Sequence, residues 1–323
     1  MEVFTYKKAF NLMNYSKRFG LLSLTVVLLS LGLIFVKGFN YGIDFAGGTL
    51  IQVQYEGKAP ISKVREAISA DKAYEGASVT YFGSEDEIVI RAKMSSQSLG
   101  KDVGDTVGAL LKDTGTFSIR RVDMVGAKVG SELREKGLMA MMLAIFGILV
   151  YVAFRFEWRF ALASVLALVH DATIALGAIA LFNIEVNLDT LAAILTLLGY
   201  SINDTIIVFD RIRDEIRTLK VPELSEIINE SVTRTLSRTT LTSLTTLFVV
   251  LALFLFGGEI IKSFSFTLMV GIMVGTYSSI FVASPMLIWM GFSASDFREK
   301  EAQKIKREKE KEKMRQMYEQ GTL

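Results

Sequence analysis

The sequence predicts a polytopic α-helical membrane protein with six transmembrane helices and a small ferredoxin-like α+β domain exported between the first two. Of its 323 residues, 51% are hydrophobic. Several apolar runs are long enough to cross a bilayer, since about 20 residues at roughly 1.5 Å each span the roughly 30 Å hydrocarbon core. A polar insert the size of a small domain, about 100 residues, separates the first run from the second.

The composition excludes several kinds of site. The chain has no cysteine and one histidine, His170, so it has no disulfide framework, no thiolate chemistry and no multi-histidine metal centre. Its sequence contains no nucleotide-binding motif. The net charge is +2. Most of the charged residues lie outside the apolar runs, and they do not form one basic face. We therefore expect no enzymatic activity, no cofactor, no metal and no nucleic-acid partner.

The first span covers residues 21–36, after a basic cytoplasmic N-terminus at 1–20. A basic segment before an apolar core is also typical of a cleavable signal peptide. No small-x-small cleavage site follows directly, and the basic segment is long. These features favour a retained span with the N-terminus in the cytoplasm.

Residues 37–137 form the predicted exported domain. Alternating apolar residues and a Gly-Ser-Glu-Asp turn predict a central hairpin. The order β-α-β-β-α-β is that of the split βαβ, ferredoxin-like arrangement. The predicted elements are strand 49–55, helix 61–70, strands 78–82 and 87–92, helix 99–112 and strand 117–122.

The stretch GIDFAGGT, residues 42–49, connects the first span to this domain. Its glycine pair lacks the Gly-Lys-Ser/Thr of a phosphate-binding loop, and Asp44 lacks partners for a metal. We interpret the stretch as a turn between membrane and domain.

Five further spans follow the domain. Lys and Arg are concentrated in the N-terminus, the 155–159 connector, the 211–240 segment and the tail, whereas the two short outer loops contain only Lys262. The positive-inside rule therefore places both termini in the cytoplasm. The predicted bounds are spans 138–154, 160–182, 190–210, 235–256 and 265–290, a cytoplasmic loop 211–234 and a cytoplasmic charged tail 291–323.

The fourth span contains Asp204, and an ionisable side chain inside a membrane by default marks a functional site. Asp204 lies roughly 22 Å from the outer end of its span, and Arg238 lies roughly 27 Å from the outer end of the fifth. An arginine side chain covers one helical turn by snorkelling. We therefore predict an Asp204–Arg238 pair between neighbouring helices.

Two interpretations of this pair stay open. As a proton relay, the carboxylate is ionised beside the guanidinium and takes up a proton when a conformational change separates them. As a static salt bridge, the pair fixes helix register. His170 and Asp171, near the middle of the third span, either extend a proton path or hydrogen-bond across helices. Further predicted path residues are Tyr200, Asn203, Thr205, Thr239 and Thr242.

Several segments together resemble a known family. They are GIDFAGGT, FEWRFALASVLALVHD, NLDTLAAILTLLGYSINDTIIVFDRIRDEI, SVTRTLSRTTLTSLTTL and FSFTLMVGIMVGTYSSIFVASP, in that order. Over essentially all of residues 1–292 the chain resembles the SecF family of bacterial protein-export subunits, in the resistance-nodulation-division (RND) superfamily. The resemblance implies six spans that form half of an RND-type bundle. It also places the family's essential membrane acid and arginine on Asp204 and Arg238.

The resemblance further implies a heterodimer with SecD in the bacterial inner membrane, and contact with the SecYEG channel, preproteins and lipids. The expected function is to use the proton motive force, with SecD, to promote preprotein translocation and release at the outer face. The alternatives are half of an RND-type proton-driven exporter of small molecules or lipids, and an assembly scaffold in which the pair is structural. The lysine-rich tail lies outside the shared motifs, and either contacts ribosomes or anionic lipid or is a solvated helix.

Overall fold

The computed structural model describes residues 9–93, 103–219 and 223–319. Within these ranges six helices are long and apolar enough to cross a membrane, as the sequence predicted. In chain order the elements are α1 (Ser16–Lys37), β1 (Asn40–Tyr41), α2 (Ile43–Ala46), β2 (Gly48–Tyr55), α3 (Ile61–Ser69), β3 (Ser78–Phe82), β4 (Ser84–Ala92), α4 (Val103–Leu111), β5 (Phe117–Val125), α5 (Ala127–Arg155), α6 (Trp158–Leu181), β6 (Glu185–Val186), α7 (Leu188–Thr218), α8 (Leu224–Phe256), α9 (Gly258–Ser278), α10 (Ser284–Trp289) and α11 (Ala294–Glu319).

The membrane-spanning helices are α1 and α5 to α9, and α9 continues through a π-helical turn at Ser279–Ala283 into α10. The most buried helices are α6 and the α9–α10 segment, and the least buried are α1 and α5. The centre of the bundle therefore lies where α6, α7 and α9 meet. The sixth span begins at Gly258, ahead of the predicted start at residue 265.

The predicted cytoplasmic loop at 211–234 is largely helical. The fourth spanning helix, α7, continues to Thr218, and α8 begins at Leu224. Ion pairs one turn apart, such as Arg234–Glu230 at 2.6 Å, support these extensions in water. Both helices are therefore longer than a bilayer crossing requires.

The exported domain is a four-stranded antiparallel sheet of order β3-β4-β2-β5, with α3 and α4 on one face. Alternation buries Ile51 and Val53 of β2 completely. This topology confirms the predicted ferredoxin-like arrangement. The Gly-Ser-Glu-Asp turn is tighter than predicted, because β4 begins at Ser84 and Gly83 turns the chain with φ 78°. Part of the predicted helix 99–112, residues 99–102, lies outside the described residues.

The two ends of the exported domain meet the membrane helices at one crowded junction. Gly47 has φ 74°, and a Cβ there would lie 2.6 Å from the Cα of Ala127, the first residue of α5. A Cβ at Gly130 would lie 2.9 Å from the backbone nitrogen of Gly47. Glycine therefore allows α2 and α5 to touch backbone to backbone.

The same junction holds the outer end of α7. Strand β1, which precedes the exported domain, pairs in parallel with β6, which precedes α7. The Arg91 guanidinium of β4 contacts Glu185 of β6 at 2.6 Å. The Asp44 carboxylate accepts a hydrogen bond from the backbone N–H of Leu188 at 3.0 Å, in the first turn of α7. Movement of α7 is therefore linked directly to the base of the exported domain.

Glu185 gives this junction a pH dependence. Burial raises its pKa above the usual 4.5, although the Arg91 guanidinium opposes the shift. A carboxyl whose pKa is raised by folding contributes stability that is present at low pH and lost as the pH rises through the folded-state pKa. We therefore expect the melting temperature of the wild type, relative to Glu185→Gln, to increase as the pH falls from neutrality towards 4.5.

Thermal melts of the purified full chain in detergent, run at each end of this pH range, measure that difference. Glu85→Gln is the matched control, because Glu85 is an exposed ion-paired carboxylate of the same domain. A wild-type advantage over Glu185→Gln that does not change with pH, or that shrinks on acidification, contradicts the prediction.

Candidate functional site

Asp204 lies near the middle of α7, about 24 Å from its first residue at roughly 1.5 Å per residue. Its side chain is fully buried. Ser243 of α8 donates a hydrogen bond to Oδ2 at 3.2 Å, and Thr276 Oγ1 of α9 lies 2.7 Å from Ser243 Oγ. The other oxygen, Oδ1, has no hydrogen-bond partner among the described residues. Three helices thus enclose a carboxylate that receives one hydrogen bond.

The predicted Asp204–Arg238 ion pair is not formed in this structure, in which Ser243 is the residue of α8 that contacts Asp204. Arg238 lies five residues before Ser243. At 3.6 residues per turn this separation places it about 140° around the helix. Arg238 is exposed in the isolated chain. Arg238 and Ser243 therefore lie on different faces of α8. The predicted pairing used only the depths of Asp204 and Arg238 in the membrane, and depth does not show which face of a helix a residue is on.

Two of the other predicted path residues lie inside the bundle beside Asp204. Thr205 is buried and donates to the backbone carbonyl of Ser201 at 3.2 Å. Thr239 precedes Ser243 by one turn, and its buried hydroxyl oxygen has no partner in the part of the chain that the structure describes. The inner face of α8 is therefore polar at the depth of Asp204.

The remaining predicted path residues lie towards the outside of the bundle. Tyr200 is half-buried, with its hydroxyl 3.3 Å from Thr246, and Asn203 is exposed. On α8, one exposed face carries Arg238, Thr242 and Thr245, which we call the polar stripe. Their spacing of four and three residues places them on one side of the helix. Both threonine hydroxyls donate to backbone carbonyls of α8, so the exposed Arg238 is the member of the stripe that is costly against lipid.

His170 and Asp171 of α6 form a separate buried cluster. His170 Nδ1 lies 2.8 Å from Asp171 Oδ1. Ser201 of α7 and Ser278 of α9 both donate to Asp171 Oδ2, at 2.6 and 2.7 Å. Asp171 thus joins three helices and has partners on both oxygens.

The buried carboxylates of the bundle differ in how they are satisfied. Glu215, near the C-terminal end of α7, pairs with Arg211 at 2.7 Å and Arg234 at 3.0 Å. Asp171 receives hydroxyl hydrogen bonds and a histidine contact, whereas Asp204 receives one long hydroxyl hydrogen bond. Among the described residues no group of three His, Asp or Glu side chains is placed to hold a metal ion. Asp204 is therefore the least compensated acid of the bundle.

Glycines of α9 bring these groups together. A Cβ at Gly275 would lie 3.1 Å from Ser201 Cβ, and one at Gly271 would lie 2.5 Å from the Leu197 side chain. The sequence predicts this close approach from the small residues of the sixth span. It does not predict the hydroxyl groups that surround the two acids. Ser201 and Ser278 donate to Asp171, Ser243 donates to Asp204, and Thr276 contacts Ser243. Their only sequence signal is the recurrence of Ser and Thr at helical spacing.

Six spanning helices, a ferredoxin-like domain inserted after the first of them and acids buried between the central helices define a polytopic membrane protein with one inserted domain and a polar centre. The family model for the C-terminal region of the SecD/SecF protein export membrane proteins matches residues 106–293. The model for the SecD/SecF GG motif matches residues 32–59.

Curated relatives and solved structures agree with these matches. The protein translocase subunit SecF of Helicobacter pylori J99 is 49% identical over 323 residues, 100% of both chains. That of Pseudomonas aeruginosa is 44% identical over 275 residues, 85% of this chain and 89% of its own. The chain belongs to the SecD/SecF family of protein-export membrane proteins.

The fold is similar to that of SecDF. The crystal structure of SecDF, a translocon-associated membrane protein from Thermus thermophilus, matches with a TM-score of 0.79 and 36% identity, over 88% of this chain and 39% of that chain. SecDF in a super-membrane-facing form matches with a TM-score of 0.66 and 34% identity, over 94% and 41% of the two chains. This chain thus spans about two fifths of the length of the solved SecDF chains.

The glycine pair of the GG motif has a structural reason that the sequence interpretation missed. The stretch does connect membrane and domain, but it forms the short helix α2 followed by Gly47 and Gly48, both with positive φ. A Cβ at Gly48 would lie 2.5 Å from the carbonyl oxygen of Ala92, at the end of β4. The pair therefore lets the exported sheet sit directly on the membrane helices.

The hydroxyl groups around Asp171 predict a stability effect. Ser201→Ala removes one donor from a fully buried carboxylate, which costs about 1–3 kcal/mol. We expect a lower melting temperature in detergent. Ser237→Ala is the matched control on α8, because the buried Ser237 hydroxyl has no partner among the described residues and its removal costs little. Equal losses in the two variants would show that the Asp171 hydrogen bond contributes nothing specific.

Proposed function

We propose that this chain is an accessory subunit of the bacterial Sec protein-export machinery and, with a SecD chain, uses the proton motive force to promote preprotein translocation and release at the outer face of the inner membrane. Membership of the SecD/SecF family and the names of its relatives support the export role. The likeness to SecDF supports association with SecD.

One observation carries the proton-driven step, namely the incomplete compensation of Asp204. An isolated ionised carboxylate in hydrocarbon is costly, so the group needs either a proton or a nearby cation. In this structure Asp204 has neither an ion pair among the described residues nor a partner for Oδ1. Arg238 is on the adjacent helix but points away. The arrangement fits a site that binds a proton in one conformation and meets a cation in another.

The coupling step follows from the position of Asp204 on α7. Parallel pairing of β1 with β6, the Arg91–Glu185 ion pair and the hydrogen bond from Leu188 to Asp44 attach the outer end of α7 to the exported domain. A shift of α7 on proton uptake therefore reaches the domain through short, rigid contacts. In the proposed cycle that domain movement acts on a preprotein emerging from the SecYEG channel.

The partner surface follows from the polar stripe of α8. Arg238, Thr242 and Thr245 are exposed on a helix that spans the membrane. The resulting cost is removed when a partner protein or a wet channel covers them. SecD would supply that cover and complete a twelve-span bundle, with both chains in contact with lipid. Both termini of this chain lie in the cytoplasm in this arrangement.

The exporter alternative receives no support from the exported domain. A cavity of about 770 Å³ lies between the sheet and the outer loops and is lined by charged side chains that include Arg121, Asp123, Glu185 and Lys262. An apolar substrate cleft would need a different lining.

Replacing Asp204 tests the proton-driven step. We expect Asp204→Asn to lose the proton-gradient-dependent part of preprotein export, because an amide cannot carry a proton between the two sides. Arg238→Met should behave in the same way. The measurement is export of a presecretory protein into membrane vesicles with an imposed proton gradient, together with the amount of SecD complex.

Asp214→Asn is the matched control, because Asp214 is an exposed acid near the cytoplasmic end of the same helix. Normal export with Asp204→Asn would contradict the relay. Loss of export together with loss of the complex would instead support the scaffold function.

The partner surface has its own test, which uses the absence of cysteine from the chain. A single Thr245→Cys substitution on the polar stripe should cross-link to a cysteine series on the spanning helices of SecD and should react slowly with lipid-soluble maleimides. Phe35→Cys, at an exposed position near the outer end of α1, is the comparison site. Free labelling of Thr245→Cys in the intact complex, with no cross-link to any SecD helix, would reject the stripe as the partner surface.

A further inference from the structure

The only histidine of the chain lies inside the bundle next to a carboxylate. The His170 side chain is 7% exposed, and its Nδ1 lies 2.8 Å from Asp171 Oδ1. The Asp171 side chain has no exposed surface, and its Oδ2 accepts hydrogen bonds from Ser201 and Ser278. The carboxylate is therefore held by α7 and α9 while it contacts the imidazole on α6.

This contact determines which ring nitrogen carries hydrogen. An ionised carboxylate only accepts hydrogen bonds, so Nδ1 of His170 is the donor when Asp171 is ionised. In the neutral ring Nε2 then carries the lone pair. Nε2 is buried and has no hydrogen-bond partner among the described residues. The ring thus presents an unoccupied proton acceptor inside the membrane-spanning region.

Charge balance favours a proton at this acceptor. The neutral ring and the ionised Asp171 together carry one negative charge, and a proton on Nε2 makes the pair neutral. A neutral pair is far less costly than a net charge within the hydrocarbon depth. The step is a simple protonation: a proton binds the Nε2 lone pair and later dissociates from it, and no other group is changed.

The groups that face His170 from each packed helix are few. From α9, the Tyr277 ring stacks at 6.4 Å, and its hydroxyl contacts Ser23 of α1 at 2.9 Å. From α7, Ser201 reaches the pair through Asp171 and lies one turn before Asp204. The spanning part of α5, Leu138 to Phe154, contains no charged residue. Tyr277 thus packs on the imidazole, and Ser201 joins Asp171 to the helix that carries Asp204.

We infer that His170 is a second proton-binding site of the transmembrane region, at Nε2, and that Asp171 is the positioning residue that holds the ring in the Nδ1–H tautomer. The transport role of His170 rests on the proposed function, since it adds a second site to the proton path of Asp204. Proton binding at Nε2 does not depend on the proposed function, because it is measured without any export assay.

Nitrogen NMR of the wild-type chain tests the inference directly. Because the chain has one histidine, incorporation of ¹⁵N-histidine into the full chain in lipid bilayers, purified through a histidine-free tag, reports one ring. We expect Nδ1 to stay protonated throughout and Nε2 to pass from the bare to the protonated form as the pH is lowered. Protonated Nε2 with bare Nδ1 before the pH is lowered, or no change as it is lowered, overturns the inference.

Two variants separate tautomer control from folding. Asp171→Asn keeps the size of the side chain. Because Ser201 and Ser278 donate to the Oδ2 position, the amide oxygen takes that position and the amide nitrogen donates to Nδ1, so we expect the Nε2–H form to appear. Asp204→Asn leaves the His170 contacts intact and should leave the tautomer unchanged. An unchanged tautomer in Asp171→Asn would refute the positioning role, and the wild-type titration stands whether or not the variants fold.

The export assay separates this inference from the proposed function. We expect His170→Gln to reduce gradient-dependent export several-fold at an unchanged level of SecD complex, with an altered dependence on external pH. If Asp204→Asn exports normally, the proposed function fails whatever the NMR shows. If Asp204→Asn loses export but the wild-type His170 does not titrate, only the present inference fails.

Discussion

A buried carboxylate must be paired, hydrogen-bonded or protonated, and the central helices meet this requirement in three different ways. Glu215 has two arginine partners, Asp171 has three polar contacts, and Asp204 has one serine hydroxyl. The close packing of α7, α8 and α9 is what keeps water and cations away from Asp204. The proposed function depends on this difference in the number of polar partners, because pairing with cations stabilises the ionised form of an acid and so opposes proton uptake.

The helix that carries Asp204 also connects the separate parts of the chain. Its outer end is attached to the exported domain through Asp44 and Glu185. At its cytoplasmic end Arg217 pairs with Glu301 of α11 at 2.5 Å, and this hydrogen-bonded contact lowers the pKa of Glu301. A displacement of α7 must therefore be accommodated at both membrane surfaces. Such a helix is suited to transmit a change in protonation to the exported domain.

The surfaces left open by the single chain are consistent with its share of the SecDF length. The least buried spans are α1 and α5, and α8 exposes the polar stripe defined by Arg238, Thr242 and Thr245. Apolar exposure on a spanning helix is satisfied by lipid, whereas the exposed Arg238 guanidinium is not. The proposed partner surface is therefore the stripe rather than the apolar faces.

The sequence alone determined the number of spans and the ferredoxin-like insert, and it predicted an orientation. These features depend on hydropathy, charge asymmetry and alternation, which are local properties of the chain. It also placed Asp204, His170 and Asp171 at the depth of the bundle's polar centre, because depth follows from residue count along a helix. Helix length beyond the membrane was underestimated, since ion pairs such as Arg234–Glu230 extend helices where hydropathy has ended.

Only the tertiary structure decided which side chains meet. Rotation of α8 about its axis places Ser243 rather than Arg238 against Asp204, and the close approach of α9 allowed by Gly271 and Gly275 brings Ser278 to Asp171. The direction in which a residue faces is fixed by the packing of neighbouring helices, and no count along one helix contains that information.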